Sequence, residues 1–334
     1  MKRLTQLRAW KLALAGPSVF WFFPVFFVIL SDRTGADPLG LLGLFVVLIV
    51  SASWGFLLND FFDRLSDAKS GRADTLHGHD LSKSTMVILI LLTAGLSWVL
   101  VFVIGGGYIF KLVLAFNYLV AILYSVPPAK LKVKKFWGFL ANSLIERPLP
   151  ILVLLSYMGY YTVLTIVLPV LAELTWSVFK HQVADMREDA DAKVTTFAVY
   201  LGEELSTRIV RTFLNPLSAA SLLVLVSIGW LGIPGLRLLL LLVFSATLVG
   251  VIVAYVAEVR GKLKLYLTPT DPPYIIFLNV AYRFLLLPVL AYGVASFDPE
   301  YDALVVLLTV TLTYQAYGYA SLMRSRVPRR ASRG

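Results

Sequence analysis

Long apolar stretches alternate with short polar connections along nearly the whole chain. Stretches at 12–31, 38–59, 84–110, 212–236, 238–258 and 303–323 are each long enough to cross a hydrocarbon core of about 30 Å as a helix. Reading every such run as a span predicts ten helices, at 12–31, 39–60, 84–104, 108–125, 137–156, 160–180, 208–230, 236–257, 273–294 and 302–322. The pattern predicts an all-α fold: a polytopic membrane bundle of nine to ten transmembrane helices. The whole chain, 1–334, reads as a single membrane-embedded domain, with a core at about 10–300 and a basic tail at 324–334.

The N-terminus begins like a signal peptide, but its only A-x-A, Ala13 to Ala15, precedes the apolar run instead of following it. It is therefore read as an uncleaved first span. Composition agrees with a membrane protein: 58% of residues are hydrophobic and only 15% charged, against about a quarter charged in soluble domains. The mean hydropathy is +0.79. The sequence has no cysteine, which excludes thiol chemistry, disulfides and thiolate metal sites.

A net charge of +10 would suggest nucleic acid in a soluble protein. The distribution of that charge gives a different reason. Of the 30 lysines and arginines, 25 fall in the termini and in alternate connections, 3 (Arg33, Lys111, Arg237) near the opposite ends, and 2 (Arg147, Arg283) inside apolar runs. This is the positive-inside pattern. It predicts that both termini and all long loops face the cytoplasm, that the number of spans is even, and that no nucleic acid is bound. The expected location is the plasma membrane of a prokaryote.

Carboxylates beside lipid are costly, so a cluster of them needs a cation, a basic ligand or open water. "NDFFDRLSD" closes the second predicted span and places Asn59, Asp63 and Asp67 at i, i+4 and i+8, with Asp60 three residues before Asp63. On a helix these oxygens share one face. Hard-oxygen donors so placed suit Mg²⁺ bridging protein to phosphate, or else a solvated helix end whose aspartates pair with Arg64 and Lys69. A second acidic pair favours the metal. Asp185 and Asp189, again at i, i+4, follow the sixth span on the same side, near Lys180 and Arg187. Between the two lies "YSVPPAKLKVKK", from Tyr124 to Lys135, in which the paired prolines end the fourth span and Lys130 and Lys132 follow.

N-D-x-x-D-x-x-x-D after the second span, Y-S-x-P-P-x-x-x-K after the fourth, and D-x-x-x-D with a following Thr and Leu-Gly after the sixth resemble the UbiA superfamily of intramembrane prenyltransferases. The resemblance implies a helical bundle around a lipid-accessible cavity. It implies Mg²⁺-dependent transfer of a prenyl group from a polyprenyl diphosphate to a lipophilic acceptor, such as an aromatic quinone precursor, a pigment or another isoprenoid or lipid. Carried over, Asn59, Asp63 and Asp67 form one metal group and Asp185 and Asp189 the other. Arg64, Tyr124, Lys130 and Lys132 contact the diphosphate. Asn117, two turns before Tyr124, is a candidate acceptor or diphosphate contact. Trp54, Phe56, Phe61, Phe62, Phe116, Tyr118 and Phe179 lie within a few turns of the motifs, where they are either faces for an allylic cation or ordinary lipid-facing rings.

The chain departs from the family pattern in three places. "SGRADTLHGHDLS", at 70–82, has no proline where members carry R-P-x-x-x-G, Lys193 stands at a usual glycine, and ten spans exceed the usual nine. His77, His79 and Asp80 have no third soft ligand, which argues against a transition-metal site. Glu146, Arg147, Glu173 and Arg283 fall within apolar runs, either as structural ion pairs (Arg283 with Glu173, for instance) or as acceptor contacts. The rival from another class is a secondary transporter for a cation or organic anion. Its polar site belongs near the midplane rather than at helix ends on one face.

Overall fold

The computed structural model describes residues 37–69, 81–191, 194–221 and 287–307, with scattered positions elsewhere. Both chain ends, the first span, the loop at 70–80, Lys193, Arg283 and most of the last four expected spans lie outside the described residues. Within them the fold is all helix, and five helical stretches are long and apolar enough to cross a membrane: Pro38–Arg64, Lys83–Ile104, Tyr108–Ser125, Lys135–Tyr157 and Val163–Ala184. They coincide with the second to sixth expected spans. The protein is an integral membrane helical bundle.

Helix α1 (Pro38–Lys69) is the central element. Asp37 caps it, its carboxylate accepting from the Leu39 and Gly40 amides at 3.1 and 2.9 Å. The predicted span ends at residue 60 and the helix runs on to Lys69, as the helical spacing of Asn59, Asp63 and Asp67 anticipates. No glycine or proline interrupts 60–69, so nothing stops the helical hydrogen-bond ladder where the apolar run ends. At 1.5 Å per residue, the stretch from Pro38 to Arg64 spans about 40 Å, more than the hydrocarbon core of about 30 Å. The last turns of α1, with Asn59 and Asp63, therefore emerge at the interface.

α2 (Lys83–Ile104) and α3 (Tyr108–Ser125) pack against α1. More than half of the spanning window of α1 is buried (56%), against 17% for α2. So α1 forms the interior, and α2 turns Ile88, Leu91, Leu92, Val99 and Phe102 to lipid. Lipid offers no hydrophobic drive for helix association, which rests instead on close packing and buried polar contacts. Ser51 and Ser97 hydroxyls meet at 2.8 Å, and the Tyr118 hydroxyl donates to Ser51 at 3.1 Å. The Tyr118 ring lies 4.3 Å from Trp54 and 6.0 Å from Trp98, centroid to centroid.

The fifth and sixth spans differ from the continuous helices expected of them. The fifth is α4 (Lys135–Glu146) and α5 (Pro148–Tyr157), broken at Arg147 (φ −138°, ψ −58°) because Pro148 disfavours helical geometry in the residue before it. The sixth is α6 (Val163–Trp176) and α7 (Val178–Ala184), broken at Ser177, whose hydroxyl caps α7. Then come α8 (Met186–Asp191), α9 (Phe197–Leu201) and α10 (Glu203–Ile209). A π-helical turn (Val210–Leu214) leads from α10 into helix to residue 221. α11 (Leu287–Phe297) precedes the 3₁₀ turn Pro299–Tyr301.

Candidate active site

Near the end of α1, Lys132 reaches across from the connection after α3. Its ammonium donates to Asn59 Oδ1 at 3.0 Å and forms an ion pair with Asp63 Oδ1. The Ser125 hydroxyl, the last residue of α3, donates to the same Asn59 oxygen at 3.4 Å. The lysine and aspartate side chains are only 10% and 18% exposed, so removing either one strands a poorly hydrated charge. The backbone accounts for this reach. α3 stops before Pro127 and Pro128; the Lys130 amide then bonds back to Val126 O at 2.9 Å. Lys130 is left-handed (φ 33°), and a 3₁₀ turn, Leu131–Val133, carries Lys132 toward α1.

The other residues of this group are placed differently. Asp60 is buried. Asp67 lies one turn beyond Asp63 on the same helix, its side chain outside the described set. Arg64, expected on diphosphate, donates through Nη2 to the Leu81 carbonyl and ties the end of α1 to the start of the next span.

The second group sits on shorter pieces. Asp185 caps α7, its amide bonded to His181 O at 2.9 Å, and its own carbonyl accepts from the Asp189 amide at 2.9 Å. That bond realises the i, i+4 spacing. Asp185 is exposed and Asp189 half-buried. Lys180, only 7% exposed, donates to Ser218 Oγ at 2.6 Å, and the single Ser218 hydroxyl proton lies within reach of both the Leu174 and Leu214 carbonyls. Arg187 pairs outward with Glu203 at 3.2 Å, both side chains well exposed (85% and 67%).

α4 packs against both the turn that carries Lys132 and the segments on either side of the second acidic pair. Phe139 stacks on Phe197 at 5.6 Å and meets Phe179 edge-on at 5.9 Å, rings that flank the second acidic pair in sequence. The backbone of Lys135 bridges Thr196, and its ammonium stands 3.9 Å over the Tyr200 ring.

Tyr124 packs with the cluster of Val120, Ala141 and Leu149. Lys130 forms no ion pair among the described residues. Asn117 buries its Oδ1 without a hydrogen-bond partner among them. In the interior, Glu173 pairs with Arg147 at 3.2 Å and accepts from the Val178 amide at 2.9 Å; its other expected partner, Arg283, lies outside the described residues. Glu146 reaches the same guanidinium at 3.2 Å. Arg147 and Val178 adjoin the two helix breaks, so this cluster ties them together. Ser125 and Phe139 are not among the residues expected at the site; their signals in the sequence are the "YS" before the prolines and the aromatic run "KFWGF".

No three His, Cys, Asp or Glu side chains among the described residues converge on one point. The described donors of the two groups are carboxylates and the Asn59 amide oxygen, all hard oxygens. That fits Mg²⁺, which takes one or two carboxylates together with phosphate oxygens and keeps several waters.

The sequence profile of the UbiA prenyltransferase family matches residues 18–264. The chain belongs to that family. A UbiA homologue from Archaeoglobus fulgidus solved with GPP and Mg²⁺ superposes with a TM-score of 0.57 at 19% identity, over 88% of this chain and 99% of that one. A UbiA homologue from the same organism with DMAPP and Mg²⁺ gives 0.56 at 18%, over 86% and 97%. One with Cd²⁺ gives 0.55 at 20%, over 88% and 98%. At such identities the likeness to these UbiA structures is one of fold. No curated protein sequence matches the chain.

Proposed function

We propose that this UbiA-family protein transfers a prenyl group from a polyprenyl diphosphate to a lipophilic acceptor, with Mg²⁺ as cofactor. The observation that carries the reading is Lys132, brought from a separate connection onto Asn59 and Asp63 where α1 leaves the membrane. A cation poised at carboxylates on a helix end is what a diphosphate with its metal requires on both sides. The relatives solved with GPP or DMAPP and Mg²⁺ support that ligand class.

Asn59, Asp63 and Asp67 would hold one metal ion and Asp185 and Asp189 the other; bound Mg²⁺ neutralises the charge that grows on the leaving diphosphate. Lys132 acts on the same oxygens, and Arg64, Lys130 and Tyr124 stand near enough in the chain to assist. The allylic C–O bond breaks with its electron pair leaving on the diphosphate. The acceptor supplies the pair for the new bond and loses a proton. The protein's part is to fix the diphosphate, keep water from the cation and offer ring faces, for which Trp54, Tyr118 and Trp98 lie deeper along the same helices. Asn117, with its unpartnered amide oxygen, is the candidate polar contact within the bundle.

The helix breaks at Arg147 and Ser177 are a feature shared with transporters, but an ion cluster already ties them together. Purified protein with radiolabelled geranylgeranyl diphosphate, Mg²⁺ and a panel of lipophilic acceptors should release diphosphate and label one acceptor. No release with any acceptor, together with uptake of a charged solute into proteoliposomes, would reverse the reading. We further propose cytoplasmic termini and a cytoplasmic diphosphate site. Reporter fusions after residue 298 and at Gly334 should give opposite signals; matching signals would remove the tenth span.

A further inference from the structure

We propose that Gly138 is a positioning residue for the diphosphate cation: its missing side chain lets α4 close on the backbone of Leu131 and Lys132, and that closure holds Lys132 at Asn59 and Asp63. The inference rests on the reading of Lys132 as a diphosphate ligand.

A Cβ added at Gly138 would lie 2.6 Å from Leu131 O, 2.8 Å from Lys132 O and 2.9 Å from Lys132 Cα. All three are backbone atoms, which cannot swing aside as a side-chain tip can. Gly138 sits inside α4, where alanine is the better helix former, so space rather than conformation accounts for the glycine. Gly55 and Gly95, also helical, would meet nothing within 4 Å.

The connection has little freedom to absorb the displacement elsewhere. The Lys134 amide bonds Leu131 O at 2.7 Å, and the Trp137 and Gly138 amides share Lys134 O at 2.9 and 3.3 Å. Upstream, the Lys130 amide is tied to Val126 O. Lys130 and Lys135, at φ 33° and 39°, already occupy the left-handed region that side-chain-bearing residues rarely adopt. α4 is itself held to the stretch after the second acidic pair through Lys135–Thr196 and the Phe139–Phe197 stack. The remaining way to relieve the contact is to move Lys132 away from α1.

The test is a double-mutant cycle on binding, separate from turnover. Isothermal titration measures the Kd of a non-cleavable geranyl thiolodiphosphate, with Mg²⁺, for the wild type, Gly138→Ala, Lys132→Ala and the double variant. Gly95→Ala serves as the control for a helical glycine. Gly138→Ala should raise Kd about tenfold and lower the melting midpoint, with the protein still folded at the assay temperature. In the Lys132→Ala background it should add less than about twofold, because the residue it positions is gone. If Gly138→Ala does not fold, Gly138→Ala with Lys135→Gly, which frees the hinge, is measured instead; it should fold and still bind weakly. Wild-type affinity in a folded Gly138 variant, or fully multiplicative losses in the double variant, overturns the inference alone. An unchanged Kd for Lys132→Ala overturns the functional reading and the inference with it.

Discussion

The two acidic groups share a spacing and differ in almost everything that supports it. Asn59 and Asp63 ride on the last turns of one unbroken helix, screened from water and already matched by a lysine from another element. Asp185 and Asp189 sit where a helix has broken into short pieces, more open, with their neighbouring arginine turned outward to Glu203. A long buried helix fixes its carboxylates by packing along its length. Short pieces must be fixed from outside, here by the aromatic contacts of α4 with α7 and α9. The first group is thus preorganised, and the second depends on its surroundings.

If both groups hold metal against one diphosphate, the comparison should vanish when either loses a carboxylate. Asp63→Asn and Asp189→Asn should each lower turnover by on the order of 10³-fold while the protein still inserts and folds. Near-normal activity of either variant at limiting Mg²⁺ would remove that residue from the site and leave a single-group mechanism.

Preorganisation of the first group depends on its cation. Lys132→Ala should cost about 2–4 kcal/mol of transition-state stabilisation, since the charge acts on oxygens that become more negative as the bond breaks. The loss should fall on kcat/KM for the prenyl diphosphate and leave the acceptor KM unmoved. A raised acceptor KM with an unchanged donor value would place this connection at the acceptor entrance.

Dependence of the second group on its surroundings is open to a packing variant. Phe139→Ala removes one face of the ring cluster that meets Phe179 and Phe197. It should destabilise the fold by about 2–3 kcal/mol and raise the Mg²⁺ concentration needed for half-maximal activity, though a phenyl ring offers no oxygen to the metal. A loss of stability with unaltered Mg²⁺ dependence would show that the second group stands without α4.

The same contrast explains what the sequence made legible. Apolar runs and basic connections gave the five described spans, because bilayer thickness and charge asymmetry act on any helix. The spacing of Asn59 and Asp63 pointed to one face because an unbroken helix converts interval into direction; Lys132 was legible only through its place in the motif after the fourth span. The helix past residue 60 was legible in the i, i+4, i+8 spacing of Asn59, Asp63 and Asp67, since polarity ended the span but not the helix. The break at Arg147 could have been read from Pro148. That at Ser177 has no proline behind it, and it shows only in the contacts of Glu173 with Arg147 and the Val178 amide. The role of α4 was not visible, because ring contacts between segments some sixty residues apart in sequence leave no periodic trace.

The smallest expected effect is at Arg187, and it sharpens the comparison most directly. By sequence, Arg187 lies between Asp185 and Asp189 as Arg64 lies between Asp63 and Asp67: a cation within an acidic helix end. In the structure its guanidinium pairs with Glu203, both side chains largely in water. Exposed pairs of this kind contribute about 0–1 kcal/mol, reduced further by salt. Arg187→Gln should therefore leave the melting midpoint within about a degree and kcat/KM for the prenyl diphosphate within about twofold, where Lys132→Ala loses far more. The measurement is the pair of donor titrations at low and high salt. A loss above tenfold for Arg187→Gln would mean that the arginine swings inward when diphosphate binds. The second group would then carry its own cation, and the asymmetry between the two would belong to the ligand-free protein alone.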